Sequence, residues 1–370
     1  MLKSAYSLRA FFLRGVWSGE AKNAEERPRA FAALHVDARY SSFDALTMKA
    51  WVIHRAGGPD QFSLEEVPTP QPRDGWVLLR VRAFGLNRSE YFTRRGESPT
   101  VQFPRVLGIE CVGEVVHDGG CGFEPGQQVA ALMNGMGRAF DGSYAEFTLV
   151  PAASVLPFHS ELPWEELALY PEMLQTCFGS LHVGLEVEPG LSLLVRGGTS
   201  SIGLATLALG KSYGLRVGMT SRSPSRRGEL LDAGADEVWI DDGALALQLS
   251  KAGRVYDRVL ELVGTTTLLD SLRCVSRGGI VCMTGILGGA WSLSPFEPMG
   301  DIPTGVKLTS YSGETADLPA AQLQQFLDAI ASGRLTVQRG PCFDFEDLRE
   351  AHGLMDRNQA AGKIVVRGVN

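Results

Sequence analysis

The apolar residues follow two different periodicities along the chain. From residue 48 to about residue 150, short runs of alternating apolar and polar residues are separated by turns rich in glycine and proline. Such runs predict short strands and are typical of a compact, barrel-like β domain. After a helical pattern at 163–185, strand-like and helix-like runs alternate, which predicts a parallel sheet with crossover helices. The tail has the pattern helix, strand, helix, strand.

The same patterns predict the individual elements. We predict helices at 87–95, 163–185, 245–251, 319–332 and 345–358, and a further helix from about 204 to 214. We predict strands at 49–54, 62–67, 76–84, 111–117, 128–132, 191–195, 215–219, 238–240, 256–262, 279–283, 306–308, 335–338 and 363–367.

A glycine-bearing turn joins the predicted strand at 191–195 to the helix that follows. Strand, turn, helix and second strand together have the size of a dinucleotide-binding unit. In such a unit the backbone N–H groups of the turn and the helix N-terminus bind the pyrophosphate. Ser200 stands where the G-x-G-x-x-G pattern has its middle glycine, so an ordinary strand–helix turn remains an alternative. The candidate cofactor-binding residues here are Gly198, Thr199, Ser200, Ser201, Ile202 and Gly203.

The end of the second strand indicates which dinucleotide is bound. NAD sites usually carry an acidic residue there, which bonds the ribose 2′-OH. This chain instead has Ser221, Arg222 and Arg226, and no acid before Glu229. Arginine binds phosphate in a bidentate manner. We therefore predict NADPH, with these three residues at the 2′-phosphate. A solvated basic start of a helix is the alternative.

Several sequence blocks together indicate a family. They are Met48-Lys-Ala, Gly85-Leu-Asn87-Arg-Ser-Glu90, Leu107-Gly-Ile-Glu110, Gly142-Ser-Tyr144-Ala-Glu146, Gly197–Gly203, Gly234-Ala-Asp236 and Gly362-Lys363-Ile-Val. In this order and spacing, residues 48–370 resemble the zinc-free quinone oxidoreductase branch of the medium-chain dehydrogenase/reductase superfamily. The resemblance implies an α/β fold, with a GroES-like β-barrel domain plus a Rossmann domain with a doubly wound parallel sheet.

The resemblance also implies domain boundaries and an assembly. The GroES-like domain is expected at 48–171, the Rossmann domain at 172–310, and a C-terminal part at 311–370 that returns to the GroES-like domain. Thr284, Gly285 and Ile286 are expected to line the nicotinamide pocket, because ligands bind beyond the C-terminal strand ends. The apolar loop at 291–302 is expected to cover the substrate. Family precedent and an exposed edge of the Rossmann sheet predict a homodimer.

The zinc-dependent relatives carry a cysteine where this chain has Asn87 and a histidine where it has Ile109. Neither residue is a zinc ligand here, so we predict no metal. The resemblance places Asn87 near the nicotinamide, where its amide is the candidate hydrogen-bond donor to a developing oxyanion. A purely structural amide is the alternative. The family's tyrosine after this asparagine is replaced by Phe92. Cys177 and Tyr144 are expected to pack in the interior, and Glu172 is interpreted as a favourable charge in the first turn of a helix.

Three functions follow from these observations. The first is an NADPH-dependent reductase of a quinone or another α,β-unsaturated carbonyl that works without a metal. The second is an enoyl-thioester reductase, for which Arg94 and Arg95 are the candidate cations. The third is a non-catalytic NADPH-binding protein, either a sensor or a crystallin-like protein.

Composition narrows the partners and the compartment. The net charge of −7 gives no reason to expect nucleic acid, and no apolar run has the length of a membrane span. Six cysteines without metal-ligand spacing are typical of a reduced, cytoplasmic protein. Residues 1–47 precede the family-like part and are expected to be a disordered extension. Their basic start, with no acid before Glu20, leaves a mitochondrial presequence as an alternative.

Overall fold

The structure is a computed structural model that describes residues 46–360 and 362–369. The predicted extension at 1–47, with its alternative as a presequence, lies outside the described residues apart from its last two positions.

The first part of the described chain is mainly antiparallel sheet. Its strands are β1 (Thr47–Ile53), β2 (Phe62–Pro68), β3 (Trp76–Gly85), β4 (Arg105–Val106), β5 (Glu110–His117), β6 (Gln128–Leu132), β7 (Phe147–Pro151) and β8 (Val155–Pro157). Its helices are α1 (Arg88–Arg94), α2 (Trp164–Leu167) and α3 (Pro171–Gly179), and a π-helical turn, Ser180–Gly184, follows. In strand β3, Val77, Leu79 and Val81 are buried on one face, whereas the other face has buried Leu78 and exposed Arg80 and is therefore only partly open to solvent.

The second part alternates strands and helices. Its elements are β9 (Ser192–Arg196), α4 (Ser201–Ser212), β10 (Arg216–Ser221), α5 (Arg227–Asp232), β11 (Glu237–Ile240), α6 (Leu245–Lys251), β12 (Tyr256–Glu261), α7 (Thr265–Ser271), β13 (Val275–Met283), α8 (Pro298–Asp301) and β14 (Lys307–Ser310). The last part consists of α9 (Ala320–Ala331), β15 (Arg339–Phe343), α10 (Leu348–Asp356) and β16 (Lys363–Arg367).

Strands β9 to β14 form one parallel sheet within the described residues, in the order β11-β10-β9-β12-β13-β14. This is the doubly wound Rossmann order, in which the direction of winding reverses between β9 and β12. All five residues of β9 are buried, because a central parallel strand is covered by helices on both faces. The predicted fold class is confirmed.

Helix α3 lies between the two kinds of sheet. One apolar core contains Leu132 of β6, Leu174 of α3 and Val195 of β9, all fully buried. The last strand of the chain, β16, returns to the antiparallel sheet and pairs with β3. The exact domain boundaries given above stay a prediction.

Two predicted elements are wrong. The single helix at 163–185 is broken into α2, α3 and the π-helical turn, because Pro171 begins a new helix and cannot donate to the preceding turn. The strand predicted at 335–338 lies at Arg339–Phe343, whereas Leu335 and Val337 pack into the core outside any strand. Helix α7 and the short strands β4 and β8 were not predicted, because their sequences carry no clear periodicity.

We expect Leu194→Ala to lower the free energy of unfolding by about 2–5 kcal/mol, because it removes buried atoms and leaves a cavity. Leu194 is fully buried in the middle of β9. Denaturant unfolding followed by circular dichroism measures the loss. The matched control is Leu247→Ala on α6, whose leucine is 55% exposed. Equal losses in the two variants would contradict this description of the core.

Candidate functional site

The glycine turn follows β9 at the point where the sheet reverses its winding. Gly197 has a φ of 88°, in the left-handed region that favours glycine. Ser200 caps helix α4: its Oγ accepts a hydrogen bond from the Gly203 N–H at 3.0 Å and donates one to the Gly197 carbonyl at 2.8 Å. A Cβ on Gly203 would lie 2.7 Å from the Gly198 oxygen, so the turn has no room for a side chain there. Ser200 therefore has a capping role at the position where the pattern has glycine.

The start of α4 is suited to bind an anion. The first N–H groups of a helix have no intrahelical acceptor. Those of Ser200 and Gly203 are bonded within the turn, and those of Ser201 and Ile202 have no acceptor among the described residues. Because the helix dipole also favours negative charge at this end, the turn fits a pyrophosphate.

The predicted 2′-phosphate residues lie at the end of β10, beside this turn. Ser221 ends the strand, and its Oγ accepts from the Ser223 N–H at 3.1 Å. Arg222 is exposed and has no ion pair or hydrogen bond within the described part of the chain. Arg226 is partly exposed and pairs with Glu229, with Nη2 at 2.7 Å from Oε1. Arg222 is therefore the cation that is available without breaking another contact.

The loop after β13 reaches the same edge of the parallel sheet. Thr284 Oγ1 lies 2.9 Å from Ser180 Oγ in the π-helical turn. A Cβ on Gly285 would collide with the backbone of Leu262, so the loops after β12 and β13 approach each other closely. Thr284, Gly285 and Ile286 follow a parallel strand at its carboxyl end, and their place in a nicotinamide pocket stays a prediction.

Asn87 belongs to a buried cluster of charged side chains. It is the N-cap of α1, and its N–H donates to Glu90 Oε2 at 2.9 Å. Lys363 Nζ donates to the Asn87 Oδ1, to Glu110 Oε1 at 2.6 Å and to Glu172 Oε2 at 2.8 Å. Because an ammonium has only donors, the atom facing it must be Oδ1, which turns Nδ2 toward the carboxylates. Nδ2 lies 3.1 Å from Glu110 Oε1 and 3.4 Å from Glu90 Oε1.

Burial and ion pairing set the charges in this cluster. Burial raises the pKa of Glu90 to about 7, although the N–H of Ile109 opposes the shift. Burial also raises the pKa of Glu110, against the attraction of Lys363. Burial by itself would lower the pKa of Lys363, but Glu110 and Glu172 outweigh it and raise that pKa. The lysine is therefore a permanently charged ammonium that is 3% exposed.

The sequence blocks contain these residues without showing that they meet. Lys363 and Glu110 each belong to a quoted block, but 253 positions separate them (363 − 110). Glu172 stands in the first turn of α3, as expected, and also pairs with Lys363. The N–H of Glu172 donates to Glu110 Oε2 at 3.0 Å, so the start of α3 binds this buried carboxylate.

Other candidates have structural environments. Tyr144 is fully buried, and its hydroxyl lies 3.1 Å from His352 Nε2. Cys177 is fully buried between α3 and α4, with its Sγ 3.4 Å from Thr206 Oγ1. Trp291, in the loop predicted to cover the substrate, packs edge-on against Phe92 of α1 at a ring separation of 4.9 Å. The loop after β13 therefore reaches the helix that Asn87 caps.

The described residues contain neither a cluster of metal-binding side chains nor a membrane-spanning helix. In the ranges 46–360 and 362–369, no group of three His, Cys, Asp or Glu side chains is arranged to hold a metal ion. None of the helices in those ranges is long and apolar enough to cross a membrane. The predicted lack of a metal stays a prediction, based on the residue types at positions 87 and 109.

Two domain families match the chain. The alcohol dehydrogenase GroES-like domain matches residues 73–160, and the zinc-binding dehydrogenase family matches residues 233–366. The quinone oxidoreductase of Sus scrofa is 26% identical over 334 residues, which cover 86% of this chain and 97% of that protein. A phenolphthiocerol/phthiocerol polyketide synthase subunit of Mycobacterium tuberculosis is 28% identical over 334 residues, covering 85% of this chain and 14% of that protein.

Solved structures agree with the sequence matches. A mycobacterial protein in complex with NADPH is 25% identical, with a TM-score of 0.74 over 86% of this chain and 99% of that chain. A GroES-like domain joined to a Rossmann sheet defines a class of dinucleotide-dependent oxidoreductases. The chain matches both of these domains, and its resemblance to the zinc-free quinone oxidoreductase branch of the medium-chain dehydrogenase/reductase superfamily is confirmed.

We expect Lys363→Met to lower the free energy of unfolding by about 3–5 kcal/mol, because it leaves buried carboxylates without their cation. Denaturant unfolding at neutral pH measures the effect. Lys307→Met is the control, since Lys307 pairs with Glu186 at 3.3 Å and both side chains are more than half exposed. Its loss should stay below about 1 kcal/mol. A loss in Lys363→Met no larger than this would contradict a stabilising role of the cluster.

Glu90 should make stability depend on pH. Its pKa is about 7 in the folded protein, above the ordinary value of 4.5, so the folded state binds the proton first as pH falls. The stability of the native protein relative to Glu90→Gln should therefore rise as pH is lowered from about 8 to 5. Thermal unfolding across this range tests the expectation, with Glu350→Gln on the exposed side of α10 as the control. A difference that does not change with pH would contradict the raised pKa.

Proposed function

We propose that this protein is an NADPH-dependent reductase that transfers a hydride to a quinone or another α,β-unsaturated carbonyl without a metal. One observation carries the proposal: the glycine turn, the α4 N-terminus and Arg222 lie side by side at the carboxyl ends of the parallel strands. The resemblance to the zinc-free quinone oxidoreductases and the mycobacterial relative in complex with NADPH support it.

Each part of the cofactor has residues of this chain that fit it. The turn from Gly198 to Gly203 would hold the pyrophosphate, since it presents N–H groups of α4 that have no acceptor among the described residues. Ser221, Arg222 and Arg226 would hold the 2′-phosphate, and the guanidinium of Arg222 has no partner in the described part of the chain. Thr284, Gly285 and Ile286 would line the nicotinamide. When bound, NADPH supplies the hydride.

The protein must then stabilise negative charge on the reduced oxygen. We propose the Asn87 amide for this role. Its Nδ2 bond to Glu90 is 3.4 Å long and therefore weak, so a substrate oxyanion can replace it while the bond to Glu110 persists. Glu90 has a pKa of about 7 and is the candidate proton source beside that amide. Lys363 fixes the orientation of the amide through Oδ1.

An enoyl-thioester reductase is the second candidate, and the polyketide synthase relative favours it. The structure removes one of its supports. Arg94 is 1% exposed and bonds Asp356 at 2.6 Å, so it cannot serve as a surface cation for a thioester carrier. Arg95 is exposed but pairs with Glu97 at 3.0 Å.

The predicted homodimer and cytoplasmic location remain proposals. Strand β14 lies at the edge of the parallel sheet and is largely exposed, which is the feature that suggests a partner copy.

Oxidation of NADPH and NADH, followed with a panel of quinones, enones and enoyl-thioesters, tests the function. We expect turnover with quinones or enones and a preference for NADPH. Arg222→Gln should weaken the binding of NADPH about tenfold or more and leave the binding of NADH nearly unchanged, because a charge-assisted hydrogen bond contributes about 1.5–3 kcal/mol. The matched control is Arg334→Gln, an exposed arginine after α9.

Other outcomes point to the alternatives. Faster turnover with NADH would overturn the cofactor assignment. Highest activity with enoyl-thioesters would favour the second candidate, and tight NADPH binding without any turnover would favour a non-catalytic protein.

A further inference from the structure

Arg196 is the last residue of β9 and directly precedes the glycine turn. Its side chain is fully buried, at 0% exposure. A buried guanidinium destabilises a protein unless its charge and its hydrogen bonds are satisfied. The proposed reductase chemistry does not use this residue. The groups that bond the Arg196 side chain therefore indicate its role.

The main partner of Arg196 is Asp241, which follows β11. Nε lies 2.7 Å from Oδ2 and Nη2 lies 2.8 Å from Oδ1, so both carboxylate oxygens are bonded side-on. The remaining nitrogen, Nη1, bonds Asp270 at 2.8 Å and Ser271 at 3.0 Å on α7. The Asp241 side chain is 7% exposed.

Asp241 lies beside the end of β10. Its N–H donates to the Ser221 carbonyl at 2.9 Å, and the preceding residue, Ile240, is the register partner of Ser221. The end of β10 is where a dinucleotide site reads the ribose 2′ position. A free carboxylate here would accept the 2′-OH of NADH and repel the 2′-phosphate of NADPH.

We propose that Arg196 determines cofactor specificity by neutralising Asp241 and occupying both its oxygens. The inference rests on the proposed NADPH site. It explains how the chain can have an acidic residue next to this site while Ser221 and Arg222 bind a phosphate. The neighbouring Asp242 is exposed, and its Oδ1 is held by the Ala244 N–H at 3.0 Å and by Gln248 at 2.7 Å.

The test measures binding and needs no turnover. Calorimetry gives the dissociation constants of 2′,5′-ADP, which carries the 2′-phosphate, and of 5′-AMP, which does not. Arg196→Gln should lower the preference for 2′,5′-ADP over 5′-AMP about tenfold, because Asp241 loses the cation that neutralises it, while its Oδ1 still accepts from the Gly243 N–H at 3.0 Å. Adding Asp241→Asn in the same chain should restore the preference. Asp241→Asn by itself should keep the preference or increase it.

The control is Asp270→Asn, which removes another acid bonded to Arg196, on α7 rather than beside β10. It should leave the preference unchanged. A general loss of stability would weaken the binding of both nucleotides together and would not change the ratio of their dissociation constants.

Two results would overturn the inference: an unchanged ratio in Arg196→Gln, or no restoration by Asp241→Asn. If Arg196→Gln does not fold, the double variant and Arg196→Lys replace it. Arg196→Lys keeps the charge but loses the side-on contact, so its preference for 2′,5′-ADP should be lower than that of the native protein. An unchanged preference in Arg196→Lys would also contradict the inference. A native protein that does not prefer 2′,5′-ADP would instead contradict the NADPH proposal itself.

Discussion

The ammonium of Lys363 joins the antiparallel sheet to the starts of helices α1 and α3. It is 3% exposed and bonds side chains from three other elements: Asn87 before α1, Glu110 of β5 and Glu172 of α3. The cluster is expensive to bury, so each charge needs its partners in place. Four side chains that are far apart in the sequence are thereby held in one fixed arrangement: Asn87, Glu110, Glu172 and Lys363. The orientation of the Asn87 amide is one consequence of this constraint.

A second buried cation acts in the same way at the carboxyl ends of the Rossmann strands. Arg196 joins β9 to Asp241 after β11 and to Asp270 on α7. Glu261 of β12 is fully buried and accepts bonds from the Val263 and Gly264 N–H groups at 2.7 and 2.9 Å, which shapes the next loop. The strand ends around the glycine turn are therefore positioned by charges below the surface. Within the described residues, the first N–H groups of α4 and the guanidinium of Arg222 keep free donors, while other residues satisfy the internal charges.

Sequence patterns predicted most elements because local periodicity determines them. Helix α6 and strands β6 and β16 have the predicted bounds, and the Gly197–Gly203 turn lies between a strand and a helix as expected. The failures have tertiary causes. Leu335 and Val337 alternate like a strand, but β16 pairs with Arg339–Phe343 instead, and register depends on the partner strand. The helix predicted at 163–185 ignored the break that Pro171 imposes.

The predictions for the candidate site show the same division between local and tertiary causes. The sequence by itself determined the fold class, the dinucleotide turn and the basic residues after β10, because each depends on neighbours a few positions apart. Through the family resemblance it also predicted that Asn87 and Ile109 stand where zinc-dependent relatives have ligands. Only the tertiary structure decided that Lys363, Glu110 and Glu172 meet, that Arg94 is buried, and that Arg196 pairs with Asp241. Those contacts join residues distant in sequence, and chain folding and burial establish them, which no local pattern records.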